Sequence, residues 1–166
     1  MELLKLATEW VKAEVFSTRF FIIFGLIFLI GSIGFWQFGK TDLARSYIVP
    51  TLVAGILLVI IGSGLLYTNI QRVTQFEKEF TIDTNSFLEA EIARTEATLK
   101  EYKTVVFTAI PIIIIIFALL IILINTPIMR AISITTIAML IVIMLIDGTA
   151  HARINTYHNE LKELSN

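Results

Sequence analysis

The densest run of chemistry-bearing side chains is Asp147-Gly148-Thr149-Ala150-His151-Ala152-Arg153-Ile154-Asn155-Thr156-Tyr157-His158. On a helix, Asp147 and His151 stand four residues apart and meet on one face, with His158 seven residues further along the same stripe. A carboxylate beside neutral imidazoles offers two chemistries. One is metal ligation, with Asp147 and His151 as candidate ligands; the other is proton sensing near neutral pH. Two adjacent ligands leave a metal site open, so neighbouring subunits would have to complete it. The plainer alternative is hydrogen bonding and helix-end electrostatics where a helix meets water. No cofactor is implied elsewhere, because there is no P-loop, no dinucleotide glycine pattern and no Ser/His/Asp arrangement. The chain has no cysteine, which removes disulfides, thiolate metal sites and cysteine nucleophiles.

This cluster follows the last of four apolar stretches, Phe20–Phe38, Ile48–Thr68, Thr104–Ile124 and Ala131–Ile146, none of which contains a charged residue. Each is about long enough to cross a hydrocarbon core as a helix. The 166 residues are 56% hydrophobic, with a mean hydropathy of +0.81, outside the usual range of soluble domains. Residues 1–166 therefore read as one all-α integral membrane domain, with spans near 20–38, 48–68, 104–124 and 131–146. A net charge of −1 gives no ground for nucleic-acid binding. Glu2, Glu9 and Glu14 precede the first stretch and no small-residue cleavage site follows it, so it reads as an uncleaved anchor. Of the 13 Lys and Arg residues, Lys40, Arg45 and Arg130 fall in the two short hairpins, and the other ten share the side of both termini. That imbalance predicts a multi-pass protein of the inner membrane with its N- and C-termini in the cytoplasm. The hairpins, around Gly39–Arg45 and Asn125–Arg130, leave little surface outside.

The segments 1–19, 70–103 and 147–166 are predicted to be helical extensions of the spans. Leu88, Ile92, Thr95, Leu99, Tyr102 and Val106 form a heptad stripe that runs into the third span. Ser86-Phe87-Leu88-Glu89 reads as a capping box opening that helix, with a turn at Asp83-Thr84-Asn85 before it. Ile70, Val73, Phe76 and Phe80 continue the second span. Leu3, Leu6, Trp10 and Ala13 precede the first, and Ile154, Tyr157, Leu161 and Leu164 follow the fourth. Four helices of roughly 36–40 residues, each about 55–60 Å long, would thus extend from the bilayer into a cytosolic four-helix bundle. Alternatively, Met1–Ser17 lies flat on the membrane as an interfacial helix. Arg72-Val73-x-x-Phe76-x-x-Glu79-Phe80 also resembles Arg153-Ile154-x-x-Tyr157-x-x-Glu160-Leu161, as a duplicated hairpin would.

The spans carry hydroxyls and backbone as their polar groups, such as Ser32, Thr51, Ser63 and Thr108, and Ser133, Thr135 and Thr136. Most can bond the preceding turn of their own helix. Proton-coupled transport is not expected without intramembrane charge, whereas a passive or apolar-gated pore remains open. Gly25, Gly31 and Gly34 in the first span and Gly55, Gly62 and Gly64 in the second would allow close helix packing within or between subunits. Spans one and two are expected to pack together, with Ile112–Ile116 facing lipid or filling a core. Pro111 is expected to kink the third span.

Arg153-x-x-x-x-His158 resembles the Arg-x(4–6)-His element of HEPN ribonucleases, which places Arg and His around a scissile phosphate. Positions five apart on a helix diverge by about 140°, so two chains would have to pair. Ile154 departs from the polar residue that commonly follows the Arg. The alternative reads Arg153 as a juxtamembrane anchor and His158 as a solvated bundle residue. Combined with the hydropathy layout, the element is similar to membrane accessory proteins of type VI-B RNA-targeting CRISPR systems. That resemblance implies an oligomeric pore perturbing the membrane in antiphage defence.

The leading functional expectation is a non-enzymatic, homo-oligomeric membrane protein that forms or regulates a pore in the lipid bilayer. The second is a membrane-anchored adaptor that docks a cytosolic protein through the polar faces of Phe87–Tyr102, guided by Arg94 and Lys100, and through the C-terminal tail. The third is an enzyme built on the Asp147–His158 cluster. It would be a lipid-modifying protein or a HEPN-like ribonuclease, and only the nuclease would bind nucleic acid.

Overall fold

The computed structural model describes residues 2–165, and every element among them is helical. In chain order these are α1 (Glu2–Phe38), α2 (Asp42–Ser46), α3 (Ile48–Ile82), α4 (Thr84–Glu101), a π-helical segment (Tyr102–Ala109), α5 (Ile110–Leu123) and α6 (Pro127–Leu164). The α4, π and α5 segments run on as one rod of 40 residues, beside helices of 37, 35 and 38 residues. All four rods are long and apolar enough to cross a membrane. Each has one apolar half and one polar half, as the hydropathy pattern demands.

The connections are set by local acceptors. Between α3 and α4 only Asp83 leaves helical geometry, and its carboxylate accepts from the backbone N–H of Asn85 at 3.0 Å and Ser86 at 3.3 Å. The helix therefore starts two residues before the expected Ser86 capping box. An anionic acceptor at the N-terminus outcompetes a hydroxyl there. The Ser86 hydroxyl instead donates to Asp83 at 2.6 Å, and these bonds hold the Asp83 carboxyl below the usual carboxylate range. The first hairpin contains α2, capped by the Thr41 hydroxyl, rather than a bare turn. Thr126 caps α6, with Pro127 in its first turn, where a missing N–H costs nothing.

In the apolar half, α1 and α3 approach through glycine. A Cβ on Gly25 would stand 2.9 Å from the Gly55 carbonyl oxygen, and one on Gly55 would stand 2.9 Å from that of Gly25. A Cβ on Gly62 would meet the Phe21 and Ile22 side chains at 2.8 Å. Spans one and two do pack together, with Leu58 fully buried in the seam. At Gly31, Gly34 and Gly64 an added Cβ would find no neighbouring atom within 4 Å, so these three take no part in packing inside the chain. The Ser32 hydroxyl crosses the seam to the Ile48 carbonyl at 2.8 Å, and Thr51 bonds its own preceding turn. Ser133 is buried with its hydroxyl unpartnered among the described residues, so it is not one of those that bond their own preceding turn.

The third rod is peripheral. Its most apolar window is only 11% buried, against 28% for the rods containing α3 and α6, and α5 packs chiefly on α6. Ile112, Ile115 and Ile116 turn outward instead of filling a core. The distortion expected at Pro111 takes the form of a π-helical segment just before it, with the Ile110 N–H closing on Val105 O. Wider turns displace the chain where proline supplies no donor.

In the polar half, Leu3, Ala7, Trp10 and Val11 of α1 are buried against Phe76, Phe87, Ile154, Tyr157 and Leu161. Ala7 and Val11 take the central places expected for Leu6 and Ala13. Residues 2–17 thus belong to the bundle and do not form a separate surface helix.

Candidate functional site

Between the two halves lies a layer of charged and aromatic side chains. Trp10 reaches it from the inward face of α1 and Tyr157 from that of α6; their rings stack at 5.0 Å and 8°. On α4, Glu91 and Arg94 are one turn apart and form a two-point ion pair, with bonds of 2.7 and 2.6 Å. The Tyr157 hydroxyl donates to Glu91 at 2.8 Å, and the Arg94 guanidinium lies 4.5 Å from the centre of the Trp10 ring. This closes a ring of contacts linking α1, α4 and α6. Burial, then the Glu91 carboxylate, raises the Tyr157 pKa, so its phenol remains a donor. A desolvated cation over indole contributes about 1–2 kcal/mol. Removing either partner of a buried ion pair costs about 3–5 kcal/mol.

A second pair joins α1 to α6, with Arg153 Nε donating to Glu14 at 3.0 Å. Burial nonetheless raises the Glu14 pKa, opposed by Arg153. Thr18 donates to the Glu14 carbonyl at 2.7 Å and accepts from Asn69 Nδ2 at 3.3 Å, which brings in α3.

These groups surround a partly open cavity of about 260 Å³ between α1, α3, α4 and α6. Phe21, Leu65 and Ile146 face it from the apolar side, and Trp10 and Ile154 from the polar side. Its walls carry Arg72, Asn69 and Asp147, with Glu101 and Tyr102. Arg72 donates to Asn69 Oδ1 at 3.3 Å, lies 5.8 Å from the Trp10 ring centre, and makes no ion pair among the described residues. Burial and the nearby Arg94 lower its pKa from the ordinary arginine value. Asp147 has no hydrogen bond or ion pair among the described residues, and burial, followed by the Glu14 charge, pushes its pKa up to about 6. Other grooves on the molecule are larger, but they are more open and mainly apolar.

The sequence-predicted residues are not gathered into one centre. Asp147 faces the cavity, while His151 packs edge-on against Tyr102 at 5.7 Å and Phe107 at 5.0 Å. Among the described residues, no three His, Asp or Glu side chains stand close enough to hold a metal ion. Arg153 turns to Glu14 on α1. His158 turns to α4, where its Nδ1 lies 2.7 Å from the Thr95 hydroxyl oxygen. That hydroxyl also stands 2.9 Å from the Glu91 and Ile92 carbonyls, and when its single proton goes to either of them, the contact with His158 needs a proton on Nδ1. His158 is buried rather than solvated, because Ile154, Tyr157, His158 and Leu161 share the inward face of α6. Burial, then Lys162, lowers its pKa, with Glu96 opposing.

Trp10, Glu14, Arg72 and the Glu91–Arg94 pair were not singled out as a site by sequence. One sign was available: Glu91 lies four residues before Thr95 on the inward stripe, where a charge needs a partner. Arg94, expected on an exposed docking face, is that partner. Comparison with protein-family models, with curated proteins and with solved structures gave no match to this chain.

Proposed function

We propose that this chain inserts its four rods into the inner membrane, termini cytoplasmic, and acts as a non-enzymatic, homo-oligomeric component that forms or regulates a pore. The observation that carries this reading is the exposure of α5, which rests chiefly on α6 and leaves the rest of its surface for lipid or a second copy. Phe21, Leu58, Val142 and Ile146 pack together in the apolar half, so a conducting path belongs between chains rather than within one. Mass measurement in lipid nanodiscs is expected to give a defined multimer, and reconstituted vesicles are expected to leak ions. A monomer with no conductance overturns the proposal. The resemblance carried by Arg153 and His158 connects such a pore to antiphage defence, which phage plating with and without the chain tests.

The adaptor reading keeps Lys100 as an exposed charge but weakens for Arg94, which is half-buried and paired with Glu91. The nuclease reading requires Arg153 and His158 to leave Glu14 and Thr95 and to meet across two chains. No RNA cleavage is therefore expected of the purified protein.

A further inference from the structure

The waist cavity contains charges that the fold leaves unmatched. Glu14 is paired with Arg153, and Glu91 with Arg94. The remaining charges facing the cavity are Arg72 on α3, Asp147 on α6 and Glu101 on α4, none in an ion pair among the described residues. A guanidinium and a carboxylate held apart and partly buried each carry a desolvation cost that a ligand with opposite charges at its two ends offsets. We propose that this cavity binds a phosphate–ammonium head group of the phosphoethanolamine type, with its phosphate on Arg72 and its ammonium on Asp147.

Three features select that ligand. The Arg72 fork, steadied by Asn69, suits a phosphate. Asp147 and Glu101 repel a purely anionic head group. A carboxylate also favours an ammonium that still has N–H donors. A trimethylated one lacks them and needs aromatic faces, and the Trp10 ring is already stacked on Tyr157 and overlain by Arg94. The depth agrees, since Phe21, Leu65 and Ile146 on the apolar side lie at or near the cytoplasmic ends of the spans. This placement rests on the membrane insertion proposed above, but not on pore formation.

The test uses the full chain in nanodiscs of equimolar phosphatidylethanolamine, phosphatidylcholine and phosphatidylglycerol, with the retained lipid identified by native mass spectrometry. Phosphatidylethanolamine is expected to be enriched about tenfold, corresponding to ~1.4 kcal/mol. Arg72→Gln is expected to abolish the enrichment, and Asp147→Asn to bring phosphatidylethanolamine and phosphatidylcholine to parity. A parallel arm adds free phosphoethanolamine to protein in detergent. Thermal stabilisation there makes the soluble compound a ligand, and enrichment without it assigns the site to lipid. Equal retention of all three lipids together with no stabilisation overturns the proposal, and the wild-type arms decide this even if a variant fails to fold. A monomer without conductance that still enriches phosphatidylethanolamine separates this inference from the pore reading.

Discussion

The same four rods are held together in opposite ways at their two ends. In the apolar half, α1 and α3 meet by omission: Gly25 and Gly55 lack side chains, and backbone touches backbone. In the polar half, the helices meet through bulk and charge, with Trp10 between Tyr157 and Arg94 and the Glu91 carboxylate tying α4 to α6. With the rods inserted as proposed, the difference follows from what each surrounding medium would leave unsatisfied. Lipid gives apolar side chains no reason to associate, so close packing of small residues must do it. Water drives apolar burial, and the ring of contacts closed by the Glu91–Arg94 pair then fixes which helix sits where.

The largest effect is expected at Glu91. Glu91→Ala strands the Arg94 guanidinium and the Tyr157 hydroxyl, and should destabilise the chain by about 3–5 kcal/mol. Thermal unfolding in detergent measures this; a shift equal to that of an exposed Glu89→Ala would mean the ring contributes little. Next is Gly25→Ala, whose methyl would meet Val59 and the Gly55 carbonyl at 2.7 and 2.9 Å and should cost about 1–3 kcal/mol. Retention of wild-type stability would show that the seam can widen freely.

Asp147 sharpens the boundary between the halves. Its folded pKa of about 6 lies above the ordinary 3.8, so the native state takes up a proton first as pH falls. Its contribution to stability therefore rises as pH drops from about 7 to 4 and declines as pH climbs back. Asp147→Asn should remove that slope and stabilise the lipid-free protein at pH 7 by on the order of 2 kcal/mol. Parallel pH–stability curves for the two proteins would contradict the burial of a charged Asp147. The smallest effect is expected for Gly31→Ala or Gly34→Ala, where the added methyl meets open space; helix propensity alone predicts a gain of up to about 1 kcal/mol. A strong loss in the assembled protein, with none in the monomer, would place those glycines between subunits.

The lengths and polarity of the rods were legible in the sequence because hydropathy and heptad spacing act locally along one helix. The helix partner at each position was less legible. Six glycines looked alike, yet only Gly25, Gly55 and Gly62 meet another helix, since rotation about the axis decides which of them face a neighbour. The Asp147–His158 run was visible as a cluster in one dimension, but it fans around α6 to three neighbours: α1 for Arg153, α4 for His158, and the π segment for His151. Glu14 and Arg72 were hidden for the same reason. Each is unremarkable on its own helix and acquires a role only from side chains far along the chain.

The π segment bears on how the third rod would sit in a bilayer. The Ile110 N–H closes on the Val105 carbonyl, and Pro111 has no N–H to give. A carbonyl on the turn before Pro111 thereby loses its main-chain donor, and hydrocarbon offers no replacement. In a rod inserted as proposed, this level is a waterline: water, a polar head group or a neighbouring side chain must reach it, and sinking the helix further would strip that oxygen bare.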